Sequence, residues 1–71
     1  MTVEDFVNQP LNNISAITRI DKSNWSKFFA GKMISEKTLN KASKMLEMSP
    51  DELLRGINLR RNNKSVVISH N

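Results

Sequence analysis

The strongest constraint on the fold is a helix-start motif, MSPDELL, in the last third of the chain. Ser49 is placed to cap a helix, and Pro50 suits its first position because that N–H needs no partner. Glu52 follows the cap by three residues, so its carboxylate can accept from the Ser49 backbone N–H in a capping box. The motif predicts a helix that runs to about Arg55 or Ile57.

Two further helices are predicted directly upstream by the same rules. Ser35 is placed to cap one of them. Asp21 is placed to cap a shorter helix over residues 22–30, which Gly31 can end in a left-handed conformation. The apolar residues that recur at helical spacing after Ser35 are Leu39, Ala42 and Leu46.

The N-terminal part adds two short helices. Thr2 begins a first helix that ends near Asn8, and a second begins at Pro10. The apolar residues expected to share one face of this second helix are Leu11, Ile14 and Ile17. We therefore expect an all-α fold, with a compact five-helix domain over residues 1–57 and a basic polar tail over residues 58–71.

Size and composition limit the chain to one small core. A domain near 71 residues buries only about 60% of its unfolded surface. There is no cysteine, so packing alone must hold the core. No run approaches the roughly 18 apolar residues of a membrane span, and the first residues are acidic where a secretory signal is basic. We expect a soluble cytoplasmic protein with no membrane partner.

The net charge of +4 is concentrated in the middle and at the end of the chain. Residues 1–18 contain two acids and no Lys or Arg, whereas residues 19–33 contain four cations and one acid. The tail adds Arg60, Arg61 and Lys64. This distribution favours a polyanionic partner, although ordinary solvated lysines would give the same composition.

Catalysis is not expected. The only histidine, His70, lies one residue from the end of the sequence, and there is no Cys, no Tyr and no glycine-rich phosphate loop. Two acidic pairs, Glu4 with Asp5 and Asp51 with Glu52, each fall in the first turn of a predicted helix, where carboxylates favour the helix dipole. We expect no catalytic residue, metal, cofactor or small-molecule ligand.

The helix over residues 22–30 has two contrasting faces. Trp25, Phe28 and Phe29 lie together at helical spacing, which is typical of core rather than of a base-stacking platform. The opposite side and its flanks carry Lys and Ser. Lys can donate to guanine O6 and N7, and Ser can bond any base edge. This face has the chemistry to bind a duplex, but a merely solvated helix face would have the same composition.

The segment ISAITRIDKSNWSKFFAGK, followed by ISEKTLNKASKMLEMSPDELL, resembles the helix-turn-helix domain of the phage repressor and Cro family, also called the XRE family. The resemblance covers about residues 11–57. Ser15 occupies the position where the family has a small residue that lets the two motif helices pack closely. The other matching positions are Ile14, Ile20, Trp25, Phe28 and Gly31.

This resemblance implies sequence-specific binding of double-stranded DNA through the second motif helix. The base-contacting residues are then Lys22, Ser23, Ser26 and Lys27, and the phosphate-contacting residues are Arg19, Lys32 and Lys37. Asn and Gln, the usual adenine readers, are nearly absent from the outer face, so a preference for guanine near Lys22 or Lys27 is expected.

Three features depart from the family pattern: the first helix is short, because Pro10 breaks into what is normally a longer element, and two further positions differ. Arg19 stands at the turn position usually held by Gly, so either a left-handed Arg, at a cost of about 1 kcal/mol relative to Gly, or a different turn is expected. Leu11 replaces the Gln that commonly begins the first motif helix and helps to hold a phosphate.

Family members usually bind palindromic sites as dimers, so the resemblance also implies a homodimer. The run Val66, Val67 and Ile68 predicts either a C-terminal strand that pairs across the dimer or a disordered end. In the second case Arg60, Arg61 and Lys64 form a weak electrostatic arm. The alternative interface is the fifth helix, through Leu53, Leu54 and Ile57.

The expected function is that of a bacterial or phage-encoded transcriptional regulator, a repressor that occupies a promoter and is associated with the nucleoid. The alternative is a protein-interaction module, an antitoxin or adaptor, on the same helical scaffold.

Overall fold

Five α-helices make up this computed structural model, which describes the backbone of residues 1–69 and the side chains of residues 1–61. The helices are α1 (Val3–Asn8), α2 (Leu11–Thr18), α3 (Lys22–Phe29), α4 (Glu36–Met45) and α5 (Pro50–Ser69). The described backbone contains no strand. The prediction of a compact all-α fold with five helices is confirmed.

The predicted caps explain where α4 and α5 begin. The Ser35 hydroxyl accepts from the Thr38 N–H at 3.2 Å. At α5 the Ser49 N–H donates to the Glu52 carboxylate at 3.0 Å, and the Glu52 N–H donates to the Ser49 hydroxyl at 3.2 Å, which completes the capping box. Asp21 occupies the N-cap position of α3 as predicted, but its side chain makes no cap hydrogen bond.

The core is built around the aromatic face of α3. Trp25 is fully buried, with its ring stacked on Phe29 at 5.6 Å between centroids and in edge contact with Phe6 and Phe28. The remaining core side chains are Ile14, Leu39, Ala42, Leu46, Met48, Leu53 and Ile57. All three α3 aromatics are therefore core residues, as predicted, and none is exposed for base stacking.

Helix α2 packs Ile14 and Leu11 against the core as predicted, but the third residue of the predicted face does not lie inside. Ile17 was expected inside but is 37% exposed, and Thr18 is fully buried instead. The Thr18 hydroxyl donates to the Ile14 carbonyl at 2.7 Å and accepts from the Trp25 indole N–H at 3.0 Å. A buried indole N–H requires an acceptor, and Thr18 supplies it, so the polar residue takes the inner position.

Residues with positive φ end the three middle helices. Arg19 ends α2 in the left-handed conformation, with φ 59° and ψ 29°. Of the two alternatives considered from the sequence, a left-handed Arg or a different turn, the structure therefore has the left-handed Arg. Gly31 follows α3 with φ 118°, and Glu47 follows α4 with φ 54°. Only Gly adopts these values without strain, so two of the three helix ends carry a backbone cost.

Helix α5 does not stop near Ile57. Its backbone continues as helix to Ser69, so residues 66–68 are helical and do not form the strand considered from the sequence. No Gly or Pro follows Gly56 in the sequence, and a helix that has been nucleated gains one hydrogen bond for each further residue. His70 and the side chain of Lys64 lie outside the described residues.

Helix α5 packs against α1, α3 and α4. Gly56 lies directly against α1: a Cβ atom at this position would lie 2.6 Å from Cδ2 of Phe6. Of the apolar residues considered for a dimer interface, Leu53 and Ile57 are buried in the core, and Leu54 is 40% exposed. None of the described helices combines the length and apolar character needed to span a membrane.

Arg60 does not form the predicted solvent-exposed arm. Its Nη1 donates within 3.0 Å to three carbonyls at the C-terminal end of α1, those of Phe6, Val7 and Gln9. The guanidinium also lies 4.4 Å from the Phe29 ring centroid, a cation–π contact. Burial lowers the pKa of this guanidinium, which nevertheless stays charged at neutral pH. Arg60 thus bonds the carbonyls at the end of α1 and does not form a free basic arm.

Candidate nucleic-acid interface

Helices α2 and α3 are joined by only three residues, 19–21, and two hydrogen bonds fix this turn. The Ser15 hydroxyl donates to the Ile20 carbonyl at 2.7 Å, and the Arg19 N–H donates to the Ser15 carbonyl at 2.8 Å. Ser15 therefore does more than allow close packing, because its hydroxyl also donates a hydrogen bond to a carbonyl inside the turn. A short turn between two packed helices is one of the features of a helix-turn-helix pair.

The outer face of α3 lies open to solvent. The four predicted base-contacting residues are all exposed: Lys22, Ser23, Ser26 and Lys27. Since Trp25, Phe28 and Phe29 anchor the opposite face in the core, the helix cannot rotate without breaking that packing. The exposed face is consequently held in one orientation.

A polar groove of about 470 Å³ opens between the α2–α3 turn and the start of α4. Its charged lining residues are Arg19, Asp21, Lys32 and Lys41, and its neutral polar lining residues are Asn24, Ser35 and Thr38. Three cations against one acid leave the groove with positive charge. The structure thus brings Arg19 and Lys32, two predicted phosphate contacts, to one groove. Lys37 is exposed near the start of α4 but does not line it.

Asn24 and Lys41 were missed from the sequence. Asn24 is exposed and lies three residues before Lys27 on α3, a spacing that places both on neighbouring parts of the helix surface. The spacing from Lys27 could have identified Asn24 from the sequence as a further residue of this surface. An exposed Asn on α3 is a candidate adenine reader, so the expected preference for guanine loses its basis. Lys41 reaches the groove only through tertiary packing, which no local pattern encodes.

Arg61 was also missed as a residue that supports this surface. Its Nε donates to the Phe28 carbonyl at 2.7 Å, and its Nη2 donates to the Lys32 carbonyl at 2.9 Å. Nη1 donates to the Asn58 side chain at 3.3 Å. The predicted arm residue therefore holds the C-terminal end of α3 and the loop that follows it.

No family model, curated protein or solved structure matches this chain. Among the residues searched for metal ligands, no group of three or more His, Asp or Glu side chains lies close enough to hold a metal ion. The indications of function therefore come from the α2–α3 unit and its groove.

Proposed function

We propose that this protein is a sequence-specific, double-stranded DNA-binding transcriptional regulator of the phage repressor and Cro type. The observation that carries the proposal is the rigid three-residue turn between α2 and α3, next to an exposed Lys- and Ser-rich helix face. In helix-turn-helix proteins the second helix of such a pair enters the major groove.

Bases would be contacted by the exposed face of α3. Lys22 and Lys27 donate to guanine O6 and N7, and Ser23 and Ser26 bond base edges without strong preference. Asn24 adds a side chain that can pair with adenine N6 and N7. The resulting operator half-site is mixed in sequence rather than restricted to guanine.

Phosphates would be contacted by the cations of the groove beside α3. Arg19 and Lys32 line it together with Lys41, and Lys37 is exposed on the adjacent first turn of α4. Each phosphate that is neutralised releases counterions, so the salt dependence of binding reports the number of such contacts. Repression follows from occupation of a promoter, and two copies bind the halves of a palindromic site.

The test is in vitro selection from a random duplex pool, followed by binding measurements on the enriched sequence at several salt concentrations. Lys27→Ala should relax specificity at about one base pair and cost about 1–3 kcal/mol on the selected site. Lys44→Ala is the control: it removes the same charge from the last turn of α4, outside the groove. It should leave the sequence preference unchanged. Selection that enriches no sequence would refute the proposal.

A second candidate function is protein interaction, as an antitoxin or adaptor, and a separate groove favours it. A groove of about 510 Å³ lies between α1 and α5, and its lining combines the apolar Val3, Val7 and Leu59 with five polar or charged residues. Binding of a protein there would depend on apolar burial and would therefore persist at high salt. Binding of DNA would weaken log-linearly with salt concentration.

A further inference from the structure

The loop after α3 is held from two sides. On one side the Lys32 N–H donates to the Lys27 carbonyl at 2.9 Å and the Gly31 N–H donates to the Phe28 carbonyl at 3.2 Å, as in a Schellman motif. On the other side α5 supplies Arg61, whose guanidinium bonds the carbonyls of Phe28 and Lys32. Both polar groups of the Lys32 backbone are consequently fixed, the N–H by α3 and the carbonyl by α5.

This arrangement bears on the groove because Lys32 is one of its lining residues. A backbone that is fixed at both its N–H and its carbonyl fixes the Cα–Cβ direction of Lys32, so less backbone entropy is lost when the flexible side chain binds a phosphate. The guanidinium is suited to this task, since its planar fork can bond two carbonyls at once.

We propose that Arg61 is a positioning residue for the DNA-contacting groove: from α5 it fixes the end of α3 and the Lys32 backbone, so that Lys32 contacts phosphate. This inference rests on the proposed function. It assigns to Arg61 a role in DNA binding without any contact between Arg61 and DNA.

Arg60 provides the matched control. It is the adjacent residue, carries the same charge and also bonds backbone carbonyls, but those carbonyls belong to the end of α1. A loss of general positive charge or of fold stability would affect Arg60→Ala and Arg61→Ala alike. A loss of Lys32 positioning would affect only Arg61→Ala.

The experiment measures the slope of log K against log salt concentration for the selected duplex. The proteins compared are the wild type, R60A, R61A, K32A and the double variant R61A/K32A, at a temperature where each is folded. We expect R61A to lower the magnitude of the slope by about 0.9, the value for one phosphate contact, and R60A to leave it unchanged. Because Arg61 acts through Lys32, the double variant should match K32A. Additive losses, or equal effects of R60A and R61A, would overturn the proposal.

If R61A does not fold, R61K carries the test, because Lys keeps the charge but cannot bond both carbonyls in the same plane. Its slope should also fall relative to wild type, and an unchanged slope would overturn the proposal.

Amide hydrogen exchange separates this inference from the proposed function. In R61A, or in R61K where R61A does not fold, the Lys32 amide should exchange at least tenfold faster than in R60A, relative to the Trp25 amide of the core. Equal exchange would exclude the positioning role whatever the protein binds. If the wild type binds no duplex but Lys32 exchanges faster in R61A, the DNA-binding function is refuted. In that case Arg61 fixes the Lys32 backbone but does not position Lys32 for a phosphate.

Discussion

Replacing Arg19 with Gly is expected to stabilise the fold and to weaken DNA binding at the same time. Arg19 holds φ 59° at the end of α2. A left-handed conformation costs a non-Gly residue about 1–2 kcal/mol, and the extra freedom of Gly in the unfolded chain takes back about 0.5–1 kcal/mol. At the middle of these ranges the net gain is about 0.75 kcal/mol, or about 3–6 °C in melting temperature for a domain of this size.

The same substitution removes one of the three cations of the groove. If Arg19 contacts a phosphate, the magnitude of the salt slope should fall by about 0.9 while the preferred sequence stays the same. The assays are thermal unfolding without DNA and duplex binding across a salt series. Unchanged DNA binding would remove Arg19 from the interface, and a lower melting temperature would refute the strain argument.

Glu47→Gly is the control for the backbone effect. Glu47 ends α4 with φ 54° and does not line the groove, so the substitution relieves the same conformation away from the proposed interface. We expect a similar rise in melting temperature with no fall in the salt slope. A fall in the slope equal to that of Arg19→Gly would show that relief of strain, rather than loss of a cation, weakens binding.

Three further predictions concern stability. Gly56→Ala should lower the melting temperature although Ala favours helix, because the new Cβ would lie 2.6 Å from the buried Phe6 ring; a rise would show that the ring can move. The pKa of Glu52 is lowered chiefly by the hydrogen bond that its carboxylate accepts from the Ser49 backbone N–H, and further by the nearby Ser49 side chain. A lowered folded-state pKa gives stability that is present at neutral pH and lost as pH falls below the ordinary value of 4.5, so Glu52→Gln should reduce this acid sensitivity in urea unfolding. Thr18→Val should cost about 1–3 kcal/mol because a buried indole N–H loses its acceptor, and Thr18→Ser should retain most of the stability.

Local rules predicted much of the fold. The Ser35 cap and the capping box of Ser49 and Glu52 were found because the groups they join lie three residues apart. The inward position of Trp25 followed from helical periodicity in the same way. The exposure of the four predicted base-contacting side chains followed from this last prediction, since they occupy the other faces of α3.

Long-range contacts account for what the sequence did not predict. The Arg60 guanidinium bonds carbonyls more than 50 residues away in the chain, and no local pattern marks such partners. Two consecutive arginines in a polar segment therefore suggested a solvated arm. The burial of Thr18 depends on the indole of Trp25, seven residues later and on another helix. Both failures concern a polar side chain whose partner is defined only after the helices pack.

The contacts of Arg60 and Arg61 also determine how short the chain can be made. A protein truncated after Ile57 keeps every core side chain, yet it leaves the ends of α1 and α3 without the guanidinium donors that close them. We therefore expect a truncated chain to need Arg60 and Arg61 for full stability. A fusion partner or affinity tag joined at residue 58 would probe an incomplete domain, whereas one joined beyond Arg61 retains the side chains that tie the last helix to the first and third.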